Sequence, residues 1–586
     1  MRKNVFRICP ASIGAIALAL VVNPGCRQEK SGNAESHLTP TAATPARASR
    51  VILEIDRMEG TPALQDTLAG GPPEASLTKI YHDAGIELEV RHDQTDLPRV
   101  ERVRLADLHN LMTSFENVTA PTGVGKIHAL IVTADEDDPR TLGIMFDFND
   151  RDVNSLPRQG FAVFASAHQG LANPTAELLL TTAHEMAHCF NLHHADWDGQ
   201  SFHDHATVES YSMADTVRWA LSGSSKTHIK QHQINEVWPG QGGLPFGTVR
   251  SGHLDLHKSD PAESFSIDSD RAAPGVAARA ASHKALARER SEVRAVEADD
   301  LRLVLEAPKT TYLVSEPVVL TVGLHNAGSR DRYVLPLLDP RFQFLNVEIR
   351  RKDAPDFRAF RSAVLADARG VDAARLKPGD SRHEEIKVFF GADGWTFKEP
   401  GTYEVRVDYP AGGVTPDALG QEPTRVQSPV LELVIQNPTT SSDRRAARTV
   451  LRYKEGMFLF LDGASHLRGA KENLQKVVQE EPTSAVAPAA RLALAQAALN
   501  PVPEPGSRVV PGADVAKAQE YLEGLQTEAL PASSVVRAKR ELSTELTRRG
   551  DATGARRQLE TARQVERQEA VRDRVWTRRV TTRVEP

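Results

Sequence analysis

The chain has 586 residues, several times the usual length of one domain, so three or four folded regions are expected. Its composition, 40% hydrophobic and 25% charged, is that of ordinary globular protein, and a net charge of -7 leaves no basic footprint for nucleic acid. Nucleic acid is therefore excluded as a partner.

Residues 1–26 read as an export signal. Arg2, Lys3 and Arg7 form a basic start, residues 11–22 are almost wholly apolar, and Asn23, Pro24, Gly25 and Cys26 follow. The apolar run is short of the roughly 20 residues that a spanning helix needs. A small residue before a cysteine at this point resembles a bacterial lipoprotein signal, with Asn23 and Pro24 departing from its usual types. The resemblance implies that Cys26 carries lipid and anchors the exported chain at the membrane surface of the cell envelope. A second reading makes Cys26 a thiolate that caps the metal of a latent enzyme; its direct succession from the apolar run favours lipid. Cys9 would leave with the signal, so only Cys189 remains and no disulfide is available within a domain.

Residues 27–50 have the Ser, Thr, Ala, Pro and Gln content of a flexible tether. Residues 51–250 alternate: 51–55, 86–90, 128–133 and 160–165 read as strands, while 76–84 and 100–115 carry helical spacing. This predicts a mixed α/β domain. Residues 251–299 read as a linker. Residues 300–437 contain short alternating runs at 301–305, 318–324, 344–349, 385–389, 402–407 and 430–435, separated by Gly, Pro, Asn and Asp, which predicts a β-sandwich. Residues 315–328 and 399–409 resemble strands of immunoglobulin-like domains. From 438 to 586 the chain is rich in Ala, Leu, Arg, Glu and Gln and reads as helical, with residues 470–499 resembling a tetratricopeptide unit. A plain helical bundle is the equal alternative.

The chemistry is concentrated at residues 173–196, NPTAELLLTTAHEMAHCFNLHHAD. Asn173 suits a helix N-cap, Pro174 the first helical position and Glu177 the first turn. His184 and His188, four residues apart, lie on one helical face and can converge on one ion. Glu185 is placed to take a proton from water there. His194 can become a third ligand if the chain turns back after the helix. Asn191 is the residue to make that turn, since Asn tolerates positive φ better than any type except Gly.

The run from His184 to His194 resembles the metzincin zinc signature HExxHxxGxxH, with Asn191 in place of Gly. The resemblance implies a zinc metalloendopeptidase acting on protein or peptide substrates, with His184, His188 and His194 as ligands and Glu185 as general base. It also implies a methionine turn beneath the metal, for which Met213 in the run from Glu209 to Asp215 is the candidate. Upstream, residues 128–133 followed by 160–165 as an edge strand match the metzincin N-terminal subdomain, and such an edge can accept an extended substrate by strand addition.

Two rivals stand beside this. Glu209 could replace His194 as the third ligand, as in gluzincins, or the chain could be an inactive cell-surface binding protein. Other groups have plainer readings: His193 as solvated or a supporting group, His203, Asp204 and His205 as a polar loop, and Cys189 as core. Asp147, Asn149, Asp150 and Asp152 read as a surface acidic turn, since their spacing does not fit an EF-hand.

Overall fold

The central sheet grows from β1 (Ser49–Met58), a strand that is buried from Val51 to Asp56 and pairs on both sides with parallel neighbours. A strand sandwiched in this way loses polar–apolar alternation, which explains the continuous VILEI run. In the computed structural model, which describes residues 49–147, 156–192, 208, 214, 217–231, 237–240, 301–334, 337–342, 344–367, 374–410, 425–503, 509–525 and 530–582, the chain is mixed α/β with a C-terminal helical region. Cys26, Glu209, Met213, His193, His194, His203, Asp204, His205, Asn149, Asp150, Asp152 and residues 251–299 lie outside the described residues.

β2 (Ile86–Leu97), β3 (Gly125–Val132), β4 (Gly143–Met145) and β5 (Gly160–Phe164) complete the N-terminal part of the sheet. β1, β2, β3 and β5 are parallel, whereas β4 runs antiparallel to β5. The helices α1 (Leu77–His82), α2 (Leu105–Phe115), α3 (Ala165–His168), α4 (Pro174–Cys189) and α5 (Gly223–Gln231) accompany it. α2 begins later than the spacing at 100–115 suggests, with Arg104 at its N-cap.

Residues 160–164 are not an edge strand: β5 lies between β3 and β4. Its all-apolar, fully buried sequence is the mark of an interior strand. β4 lies beyond it, and its outer side is covered by residues from much later in the chain.

Those later residues belong to a β region that, among the described residues, has two larger sheets and two two-stranded ones. Its strands are β6 (Leu301–Glu306), β7 (Thr311–Leu313), β8 (Val319–Asn326), β9 (Arg332–Val334), β10 (Asn346–Arg351), β11 (Arg358–Ala359), β12 (Leu365–Asp367), β13 (Ala374–Leu376), β14 (Ser381–Lys387), β15 (Phe390–Gly391), β16 (Gly394–Trp395), β17 (Gly401–Pro410), β18 (Arg425–Gln427) and β19 (Leu431–Gln436). One sheet runs β11-β10-β17-β19-β7 and another β14-β8-β6. Leu303, Val322, Val347, Val405 and Leu433 belong to the core beneath them. β12 leaves this set and pairs antiparallel with β4, making the central sheet β12-β4-β5-β3-β1-β2.

The chain ends in helices α6 (Ser441–Val450), α7 (Tyr453–Phe460), α8 (Arg468–Glu480), α9 (Ala487–Leu499), α10 (Val515–Leu522), α11 (Ala532–Arg548) and α12 (Ala552–Thr582). Residues 48–586 pack as one unit. Arg104 reaches the carbonyls of Gln496 and Gly463, each at 3.3 Å, and Asn110 donates to the carbonyl of Pro503 at 2.7 Å, so α2 is bonded to the helical region.

Candidate metal and catalytic site

α4 starts as its sequence dictates. The Asn173 side chain accepts the Ala176 N–H at 3.2 Å and Pro174 occupies the first turn. From Ala176 to Cys189 every residue of the helix is buried. Side chains from other elements hold it in place. The Tyr81 hydroxyl donates to the Ala183 carbonyl at 2.7 Å, and His168 bridges the Phe164 carbonyl and the Thr181 hydroxyl, each at 2.9 Å.

The helix ends in a left-handed turn. Asn191 has φ +61°, the Leu192 N–H donates to the Ala187 carbonyl at 3.3 Å, and the Asn191 N–H donates to the His188 carbonyl at 2.9 Å. These are the two bonds of a Schellman motif, and they reverse the chain within three residues of His188. Arg158 braces the same end. Its guanidinium is fully buried and donates to the Cys189 carbonyl at 3.3 Å and the Trp238 carbonyl at 2.9 Å, placing a cation at the negative pole of the helix. Burial draws the Arg158 pKa down to about 10, which leaves it charged at neutral pH.

His184 and His188 stand one turn apart, with ring centroids 4.8 Å apart and planes at 89°. The turn also orients them: His188 Nδ1 lies 2.7 Å from the Leu192 carbonyl, and His184 Nδ1 lies 2.8 Å from the Val208 carbonyl. A carbonyl can only accept, so each ring carries its proton on Nδ1 and Nε2 is the basic nitrogen. This is the tautomer a metal-binding imidazole needs. Both rings and Glu185 are buried.

Glu185 packs against β4 at Gly143. A β-carbon at position 143 would lie 2.6 Å from both Cγ and Oε1 of Glu185 and 2.7 Å from the Thr181 methyl, so only glycine fits there. Glu177 links α4 to the segment after the histidines: its Oε1 accepts the Ala214 N–H at 2.9 Å. Cys189 is buried, and burial pushes its thiol pKa well above the ordinary value, which suits a core residue.

Asp147 is not part of a surface acidic turn. It is fully buried, accepts the Gln159 N–H at 2.6 Å and lies 3.5 Å from His109 Nε2. It therefore helps to fix the segment that carries Arg158, whose N–H donates to the Asp147 carbonyl at 2.7 Å.

Among the described residues, one group of three could hold a metal ion: Glu54, Asp56 and His128, all buried, with ligand atoms within 4.8 Å of one another. No motif spacing marks this group in the sequence. The available signal was a pair of acids at alternate positions in an otherwise apolar buried strand, which puts both carboxylates on one face. In the structure Glu54 accepts the Asn117 N–H at 2.7 Å and the Val118 N–H at 3.2 Å, and Lys126 Nζ lies 3.1 Å from it. Asp56 lies 2.8 Å from His128 Nε2. The ammonium group of Lys126 already neutralises one of the two carboxylates, so the group also serves as an internal ion-pair network.

No family model matches the chain, and no curated protein matches it. Among solved structures, the CARDB domain of PF1109 from Pyrococcus furiosus is 9% identical over 23% of this chain and 94% of that one, at a TM-score of 0.13. Spo0M, a sporulation control protein from Bacillus subtilis, is 9% identical over 26% and 54%, at 0.17. The β-glucosidase EmGH1 from Erythrobacter marinus is 11% identical over 67% and 47%, at 0.15. Likeness at this level carries no functional argument.

Proposed function

We propose that the chain is a zinc-dependent endopeptidase of the metzincin type, exported and tethered through lipid on Cys26, with an immunoglobulin-like and a helical region as accessory parts. One observation carries this: His184 and His188 lie a turn apart, each with Nδ1 fixed by a backbone carbonyl, and Glu185 lies between them in sequence. The donor set fits zinc, since two neutral imidazoles with a third from His194 match a three-protein-ligand catalytic site. Zinc bound there supplies Lewis acidity toward a carbonyl and lowers the pKa of water.

The remaining work falls to the protein. Glu185, buried and next to His184 on the helix, takes a proton from the attacking water and returns it to the leaving amine. The carbonyls of Leu192 and Val208 hold the imidazole tautomers. β4 lies against Glu185 through Gly143, and an extended peptide on the outer side of β4, in the place of β12, would pass beside that carboxylate.

The test is metal analysis of the purified chain together with hydrolysis of labelled casein. The expected result is about one zinc per chain and cleavage that is lost on chelation and restored by zinc. A metal-free protein, or cleavage indifferent to chelator, would overturn the proposal. Anchoring is tested separately: Cys26→Ser should move the protein from the membrane fraction to a soluble or unprocessed form.

A further inference from the structure

β12 occupies the edge where a substrate would add. The Phe164 N–H donates to the Leu142 carbonyl at 2.8 Å, and bonding alternates along an antiparallel strand, so Leu142 and Ile144 face β5. Gly143 and Met145 therefore direct their backbone groups the other way. Opposite them stand Asp367 and Leu365, with Ala366 opposite Ile144. The residue paired with Asp367 is thus the glycine that lies against Glu185.

The segment leading into β12 belongs to the β region and is held there. The Arg361 carbonyl accepts the Ala392 N–H at 3.0 Å, Arg361 is paired with Asp393, and Phe360 N–H donates to the Val347 carbonyl at 2.7 Å. Beyond it Ser362, Ala363, Val364 and Ala366 are buried. β12 is thus an extended, antiparallel, self-supplied strand at the position that strand addition would give a bound peptide.

We infer that the β12 segment is an autoinhibitory strand: docked on β4, it excludes extended substrates from the edge beside Glu185, and activity requires its displacement. This rests on the peptidase proposal. Two substances compete for one set of backbone groups, so the resting rate is set by the fraction of molecules in which β12 is released.

Two full-length variants test this with labelled casein, zinc content being measured alongside. Leu365→Pro/Asp367→Pro removes both N–H donors that face β4 and should raise kcat/KM at least tenfold with zinc unchanged. Ile144→Cys/Ala366→Cys places two thiols at a directly opposed, non-hydrogen-bonded pair, where a disulfide can close. Its oxidised form should be at least tenfold slower than its reduced form, and a phosphine reductant should restore the rate. If the proline variant unfolds, the disulfide comparison decides. A cross-linked enzyme as fast as its reduced form overturns the autoinhibitory strand while leaving the peptidase proposal intact. Zinc-loaded wild type and proline variant that both fail to cleave, or cleave equally well with Glu185→Ala, would overturn the peptidase proposal itself.

Discussion

Gly143 and Glu185 share one space: the β-carbon that any other residue would bring to position 143 falls 2.6 Å from the Glu185 carboxylate oxygen. Gly143→Ala should therefore push Glu185 away from its working position. Overpacking of this kind costs roughly 1–3 kcal/mol, and we expect kcat to fall by about one to two orders of magnitude. Zinc content should be unchanged, because the histidine rings are held by other groups. Full activity in Gly143→Ala would show that Glu185 moves freely and is not positioned by β4.

Asn191 gives a second prediction. Its φ of +61° is open to Gly without cost and is disfavoured for a β-branched side chain. Asn191→Gly should keep zinc and activity. Asn191→Val should lose roughly 1–3 kcal/mol, seen as a lower Tm or as weaker zinc binding when the Leu192 carbonyl shifts from His188. Thermal unfolding and zinc titration of both variants check this; equal tolerance of Val and Gly would contradict it.

The third ligand can be identified by affinity. His194→Ala should lose most zinc binding and Glu209→Ala little, as measured by competition with a chromogenic chelator. The opposite pattern would move the chain to the gluzincin arrangement.

A fourth prediction concerns pH. A cavity of about 1190 Å3 lies where the three regions meet, lined in part by Glu136, Asp137, Arg341, Glu384, Arg537 and Glu541. Burial pushes the Glu136 carboxyl up to about 8, helped by its hydrogen bond with Glu541 and the charge there. Burial likewise raises Asp135 and Glu384 to about 7. Asp137 goes the other way: burial opposes ionisation, yet Arg537, Arg341 and Lys387 outweigh it and hold the carboxyl below the ordinary range.

A carboxyl raised in the folded state binds its proton more tightly there than when unfolded. Its stabilisation is complete below the ordinary carboxylate pKa and is lost as pH rises through the folded value. Tm should therefore fall as pH rises from 4.5 to about 8, and Glu136→Gln should flatten that fall. An unchanged slope in Glu136→Gln would remove Glu136 from the account.

Much of the site was legible because its signals are local. The cap at Asn173, the i,i+4 histidines and the turn residue at Asn191 each state a backbone requirement within a few positions. What was not legible is long-range or hidden by residue type. β12 is three residues with no periodicity of their own, and it pairs with a strand more than two hundred residues earlier. Arg158 and Asp147 carry charges that suggest a surface, and only the packing around α4 shows that both are buried. β5 was expected at the edge because sequence order does not reveal that β4 adds outside it.

Hydrolysis by zinc-loaded Glu185→Gln decides whether Glu185 is the base, because the substitution keeps shape and burial while removing the proton acceptor. Zinc content should equal that of the wild type, with a rate lower by about a hundredfold to ten-thousandfold. A zinc-loaded Glu185→Gln enzyme that cleaves at the wild-type rate would contradict that role.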